Sequence, residues 1–95
     1  MSVTFEWDDD KQRANIAKHG ITFDDAIIAY MDPFAVTTLD DTHGEERTDL
    51  IGAVDRGGIR LLFVVCVEKS GDVVRIISAR PVTALERLTY EKGSF

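Results

Sequence analysis

Hydrophobic spacing along the chain switches between two periods. Val3, Phe5 and Trp7 recur at every second position, which predicts a short strand over 3–7. Asp8, Asp9 and Asp10 then offer caps for a helix reaching His19, and Gly20 is placed to end it in a left-handed conformation. On that helix Lys11, Asn15, Lys18 and His19 gather on one face, while Ala14 and Ala17 make a small apolar side. Thr22 followed by Asp25 resembles a capping box. It opens a second helix whose apolar stripe is Phe23, Ala26, Ile27 and Tyr30, stopped by Asp32-Pro33.

From Phe34 onward the period is that of strands, over 34–39, 47–55, 59–69 and 73–79. Arg56-Gly57-Gly58 and Ser70-Gly71-Asp72 read as hairpin turns. Both alternating sets of 59–69 carry large apolar residues, so this strand is expected at the centre, covered on both faces. Thr83 with Glu86 repeats the capping-box pattern and Gly93 closes a final helix. The order β-α-α-β-β-β-β-α predicts one α+β domain over 1–95. Its core is a twisted antiparallel sheet of about five strands, with two N-terminal helices and one C-terminal helix.

Composition narrows the setting. Ninety-five residues support a single core. The longest apolar run, Leu61 to Val67, is strand-sized and far short of a membrane span. The first residues lack the basic start and apolar core of a secretion signal. The one cysteine, Cys66, falls inside the apolar run and reads as a buried, inert thiol; a reducing cytoplasm is the expected location.

Charge changes the picture more. The net charge is −6, which by itself argues against a nucleic-acid partner. Residues 1–55 hold thirteen acidic and four basic side chains, whereas residues 56–95 hold four acidic and seven basic. A basic surface on the second half is therefore open, as is a basic protein partner for the first. Arg75-Ile-Ile-Ser-Ala-Arg80 places two guanidinium groups on one short strand. Arginine's fork of donors matches both carboxylate and phosphate, so the partner is an internal acid such as Glu46 or Glu86, or an external phosphate.

Two sets of residues stand out together. The first is Phe5-Glu-Trp-Asp8, Lys11, Asn15, Lys18-His-Gly20 and Phe23. The second is Glu46-Arg47, Arg75-Ile-Ile-Ser-Ala-Arg80, Glu86-Arg87 and Tyr90-Glu91. In order and spacing, over nearly the whole chain, they closely resemble the BrnT family, the toxin component of a bacterial type II toxin–antitoxin system. The resemblance implies a fold like that of RelE-type ribonuclease toxins and an RNA-cleaving activity that inhibits translation and growth. It also implies neutralisation by a BrnA-type antitoxin with a ribbon-helix-helix domain, in a complex expected to be a heterotetramer. DNA would be met only through that antitoxin.

Cleavage of RNA without a metal needs a base for the 2′-hydroxyl, an acid for the leaving 5′-oxygen and cations for the charge gathering on phosphorus. Arg75 and Arg80 suit the last role. Strict alternation sets them on opposite faces, so they share a site only if the strand twists or bulges before Pro81. His19, at a helix C-terminus that favours positive charge, suits an acid or a phosphate contact; its bland reading is a capping residue. Lys11 and Lys18 offer phosphate contacts, although Lys11 can instead pair with Asp8. Glu46 beside Arg47 is the candidate base with a charge partner, or a solvated loop end. Tyr90 offers a hydroxyl to RNA, or packing. Trp7 offers a core anchor, or a surface for stacking a base. Asn15 is expected to fix its helix rather than touch substrate.

The loop Asp40-Asp-Thr-His43-Gly-Glu-Glu46 holds oxygen ligands and an imidazole, but its spacing fits no defined metal motif, and a solvated turn is expected. No cofactor is expected. The acidic balance supports one alternative function, a weakly catalytic binding module that keeps the fold and the antitoxin interface.

Overall fold

The computed structural model describes residues 2–42 and 44–95, leaving Met1 and His43 outside. Eight elements follow in order: β1 (Thr4–Glu6), α1 (Asp9–His19), α2 (Phe23–Tyr30), β2 (Val36–Asp40), β3 (Arg47–Asp55), β4 (Ile59–Lys69), β5 (Val73–Pro81) and α3 (Ala84–Lys92). The caps sit where the sequence predicts them. Asp8 accepts from the N–H groups of Asp10 and Lys11, Thr22 accepts from Asp25 N, and Gly20 and Gly93 close their helices at φ 70° and 88°. Thr83 and Glu86 form the complete capping box. Asp8 therefore meets the backbone of Lys11, and Asp25 pairs its carboxylate with Arg56 at 2.6 Å instead of completing a box.

The strands form one sheet in the order β1-β5-β4-β3-β2, with β4 in the middle as its doubly apolar pattern requires. β2 to β5 make the expected antiparallel meander. β1 departs from it, pairing parallel to β5 from Thr4↔Val73 to Glu6↔Arg75, so the sheet is mixed. β1 and β5 are separated in the chain by α1, α2 and three strands, the long connection that a parallel pair requires.

Both N-terminal helices cover one face of the sheet. There Phe23, Leu50, Leu62, Val64 and Ile76 are buried, and Trp7 packs edge-on against Phe23 with ring centroids 5.9 Å apart. Trp7 is thus a core anchor. Cys66 belongs to the same cluster, and burial pushes its thiol pKa up to about 12. Gly52 on β3 faces the backbone of Ala29, where no Cβ fits. The opposite face carries only a small cluster of Val36, Ile51 and Leu61 under Val82 and Tyr90. α3 lies over that end and buries none of its own residues.

Candidate functional site

The pairing of β5 with β4 decides where its arginines point. Arg75 pairs with Val67, Ser78 with Val65 and Arg80 with Phe63, while Ile76 pairs with Cys66. Ile77 has no opposite number, so β5 bulges by one residue there. That extra residue resets the alternation. Phe63, Val65 and Val67 share the face opposite α1 and α2, and Arg75, Ser78 and Arg80 therefore share it too. The condition under which both arginines serve one surface is met. Their partners Phe63 and Val67 are four positions apart on β4, which sets the two backbone attachments about 13 Å apart.

Arg47 joins them. It pairs with Asp40 on β2 and lies one residue beyond the pair Thr48↔Cys66, level with Val67 on this same open face. Each arginine is held by an acid. Arg75 donates to Glu6 at 2.8 Å, with Lys69 on the same carboxylate at 3.3 Å. Those two bonds hold the Glu6 carboxyl below the usual range. Arg47 meets Glu45 at 3.2 Å, not Glu46.

Arg80 is the most constrained. Its two terminal nitrogens each donate to one oxygen of Glu86, both at 2.8 Å, and its guanidinium lies 4.3 Å above the centre of the Phe63 ring. Glu86 also receives Thr83 N through the capping box. The paired hydrogen bonds with Glu86 raise the Arg80 pKa, and the same bonds lower that of Glu86. The internal pairing weighed for Arg80 is therefore present, with Glu86.

The cations of α1 gather elsewhere. Lys11, Lys18 and His19 line a shallow cleft of about 280 Å³ with Ala14, Asn15, Ile77 and Ser78. The cleft runs along the outer edge of β5, beside the bulge. His19 is half-buried, whereas both lysines are exposed. Ser78 belongs to both groups: it lines the cleft and shares the open face with the arginines. Residue types alone did not single out Ser78, because only the bulge brings it to the junction.

Two predicted site residues stand apart. Glu46 is exposed in the loop just before β3, outside the strand pairings in which Arg47, Arg75 and Arg80 take part. Tyr90 turns its hydroxyl to Asp32, donating at 2.6 Å, and Asp32 also accepts from Phe34 N and Ala53 N at 2.9 Å each. Burial, then the bond to Asp32, lifts the Tyr90 pKa to about 12. Burial pushes the Asp32 carboxyl up, but the bonds from Tyr90, Phe34 and Ala53 outweigh it and leave the pKa lowered. That tyrosine pins α3 to the loop before β2.

His43, the imidazole of the acidic loop, lies outside the described residues. Among those described, no three His, Cys, Asp or Glu side chains converge as a metal site. No helix among them is long and apolar enough to cross a membrane.

Comparison with known proteins gives this arrangement its context. The model for "Ribonuclease toxin, BrnT, of type II toxin-antitoxin system" matches residues 7–86, which takes in α1, the bulged strand and Glu86. The chain belongs to the BrnT family. Among solved structures, the BrnT ribonuclease toxin of Brucella abortus is similar at 24% identity and a TM-score of 0.63, covering 86% of this chain and 99% of that one. At that identity the likeness speaks for the fold, and it supports the three-helix, five-strand architecture. The comparison with curated proteins returned no match. BrnT membership makes the chain a ribonuclease toxin by family, so an antitoxin partner is part of its biology.

Proposed function

We propose that the chain is a metal-independent endoribonuclease, with RNA seated across the edge of β5 between the open-face arginines and the α1 cleft. The bulge at Ile77 carries this reading, because it puts Arg75, Ser78 and Arg80 on one face, and Ser78 also lines the cleft of Lys11, Lys18 and His19. Arg80 and Arg75 stabilise the charge that gathers on the non-bridging phosphate oxygens. Lys11 and Lys18 hold flanking phosphates, and Arg47 extends the cationic track toward β3. As the 2′-oxygen bonds to phosphorus and the bond to the 5′-oxygen breaks, His19 gives a proton to that leaving oxygen and solvent water takes the proton of the 2′-hydroxyl. Glu46 and Tyr90 lie outside this constellation, and the geometry favours a loop end for the first and an anchor for the second.

The purified chain is expected to cleave RNA in the presence of EDTA, and His19→Gln to do so much more slowly. A folded wild type that leaves RNA intact, with and without ribosomes, overturns the proposal. The bidentate Arg80–Glu86 pair favours the second reading, a binding module in which the guanidinium serves structure. Under that reading, expression without the neighbouring gene leaves growth unchanged.

The resemblance further supports a cytoplasmic toxin of RelE-like fold that blocks translation. Its partner is a BrnA-like ribbon-helix-helix antitoxin that also brings the complex, as a heterotetramer, to DNA. The acidic residues Asp40, Asp41, Glu45 and Glu46 would draw a basic segment of that antitoxin. Co-expression of the two genes, followed by co-purification and mass measurement, tests both the pairing and the stoichiometry.

A further inference from the structure

α1 is an unusual helix for a small domain. Its one buried residue is polar, Asn15, and Ile16 is 42% exposed. An apolar stripe does not fix its position, so its polar contacts must. Asn15 makes three. Its amide Nδ2 donates to Ala79 O at 2.8 Å and to Ile21 O at 2.9 Å, and its Oδ1 accepts from Ala79 N at 3.1 Å. The side-chain amide thus pairs with both backbone groups of Ala79, as one residue of a neighbouring strand would. It does so on the outer edge of β5, which β1 accompanies only as far as Arg75.

Ala79 lies between Ser78, which lines the cleft, and Arg80, and two residues beyond the bulge. A bulged edge segment is where register is least constrained. We propose that Asn15 is a positioning residue for RNA cleavage: it locks the cationic face of α1 to the Ser78–Arg80 segment, and so sets the spacing between His19 and Arg80. This rests on the ribonuclease reading above. The bond to Ile21 O, just past Gly20, ties the C-terminal end of α1, and His19 with it, to the same amide. Both hydrogens of the Asn15 amide are taken up by Ala79 O and Ile21 O, so its effect passes through the groups it holds.

Gln12 provides the control. It anchors the same helix through a different bond, Phe23 N donating to its Oε1 at 3.0 Å, and among the described residues its side chain has no hydrogen bond to β5. Asn15→Ala is expected to lower kcat about 100-fold while KM changes less than about threefold, because misplaced groups fail in the transition state more than in binding. Gln12→Ala is expected to keep kcat within about twofold of wild type, at a temperature where both variants are folded. If Asn15→Ala does not fold, Asn15→Ser carries the same test, with amide hydrogen exchange at Ala79 in the wild type as the companion measurement. A folded Asn15 variant with wild-type kcat, or fast exchange at Ala79, overturns the proposal. So does a kcat loss in Gln12→Ala equal to that of Asn15→Ala. Cleavage by the wild type belongs to the functional reading and is scored first; without it both ideas fall, and with it the variants judge Asn15 alone.

Discussion

Among the described residues, twelve buried side chains form one cluster on the face that α1 and α2 cover, and three do on the other face, beneath α3. The first face holds Phe23, Leu62, Val64 and Ile76 in contact with two helices, and its polar exceptions are Asn15 and Thr48. The second holds Arg47, Arg75 and Arg80, each matched with an acid. A single sheet therefore separates tasks by side: apolar burial holds the molecule together on one, and charge is presented on the other. Substitutions on the two faces should consequently fail in different assays.

The largest effect is expected from Phe23→Ala on the covered face, a loss of about 3–5 kcal/mol in chemical denaturation, with the residual folded fraction still cleaving RNA. A small loss there would mean that the helices contribute little to stability, and the contrast between faces would collapse. Arg80→Ala comes next, with an expected fall of about 100-fold in cleavage and much the smaller cost in stability. Near-normal cleavage by that variant would leave the open face without its proposed task.

Tyr90→Phe sharpens the contrast within the open face itself, since α3 is pinned there by the bond to Asp32. A loss of about 1 kcal/mol with unchanged cleavage is expected. Its pH signature is specific. The Tyr90 pKa is raised in the fold from 10.0 to about 12, so its contribution is fully present below pH 10 and is lost as pH rises through about 12. Tyr90→Phe should remove that part of the alkaline fall in stability, leaving the parts due to Tyr30 and Cys66, whose pKa values are also raised to about 12.

The smallest effect concerns Glu86. Arg80 lowers its pKa below the ordinary 4.5, so the bridge stabilises the fold above pH 4.5 and is lost as pH falls through the depressed value. Denaturation of wild type and Glu86→Gln from pH 6 to pH 3 should converge toward the acid end. Curves that stay parallel would show that the bridge adds nothing to stability.

Local signals in the sequence were enough to locate the helices. Asp8, Thr22 and Thr83 cap them, and Gly20 and Gly93 end two of them, because capping depends on residues a few positions apart. The central place of β4 followed from its two apolar sets. The parallel return of β1 did not show, since nothing near Thr4 encodes a partner at Val73. The same distance hid the bond from Tyr90 to Asp32, 58 residues away. Arg75 and Arg80 stood out as a pair in need of acids, and Glu86 was within reach of inspection; Glu6, 69 residues from Arg75, was not. The bulge was legible only as a condition. Ile77 is an apolar residue in an apolar run, without the glycine that often announces an extra residue.

That isoleucine gives the strand an odd length where an even one would have sufficed to span the sheet. Parity, more than any individual charge, then decides which side the arginines occupy. Losing a single codon at Ile77 would spare every cation and acid in the chain, and it would also leave Arg75 and Arg80 an even four positions apart, still opposite Val67 and Phe63 on the open face. A frame-preserving deletion of that one neutral residue should therefore keep both arginines on one side and show whether the kink itself, apart from the charges, is needed.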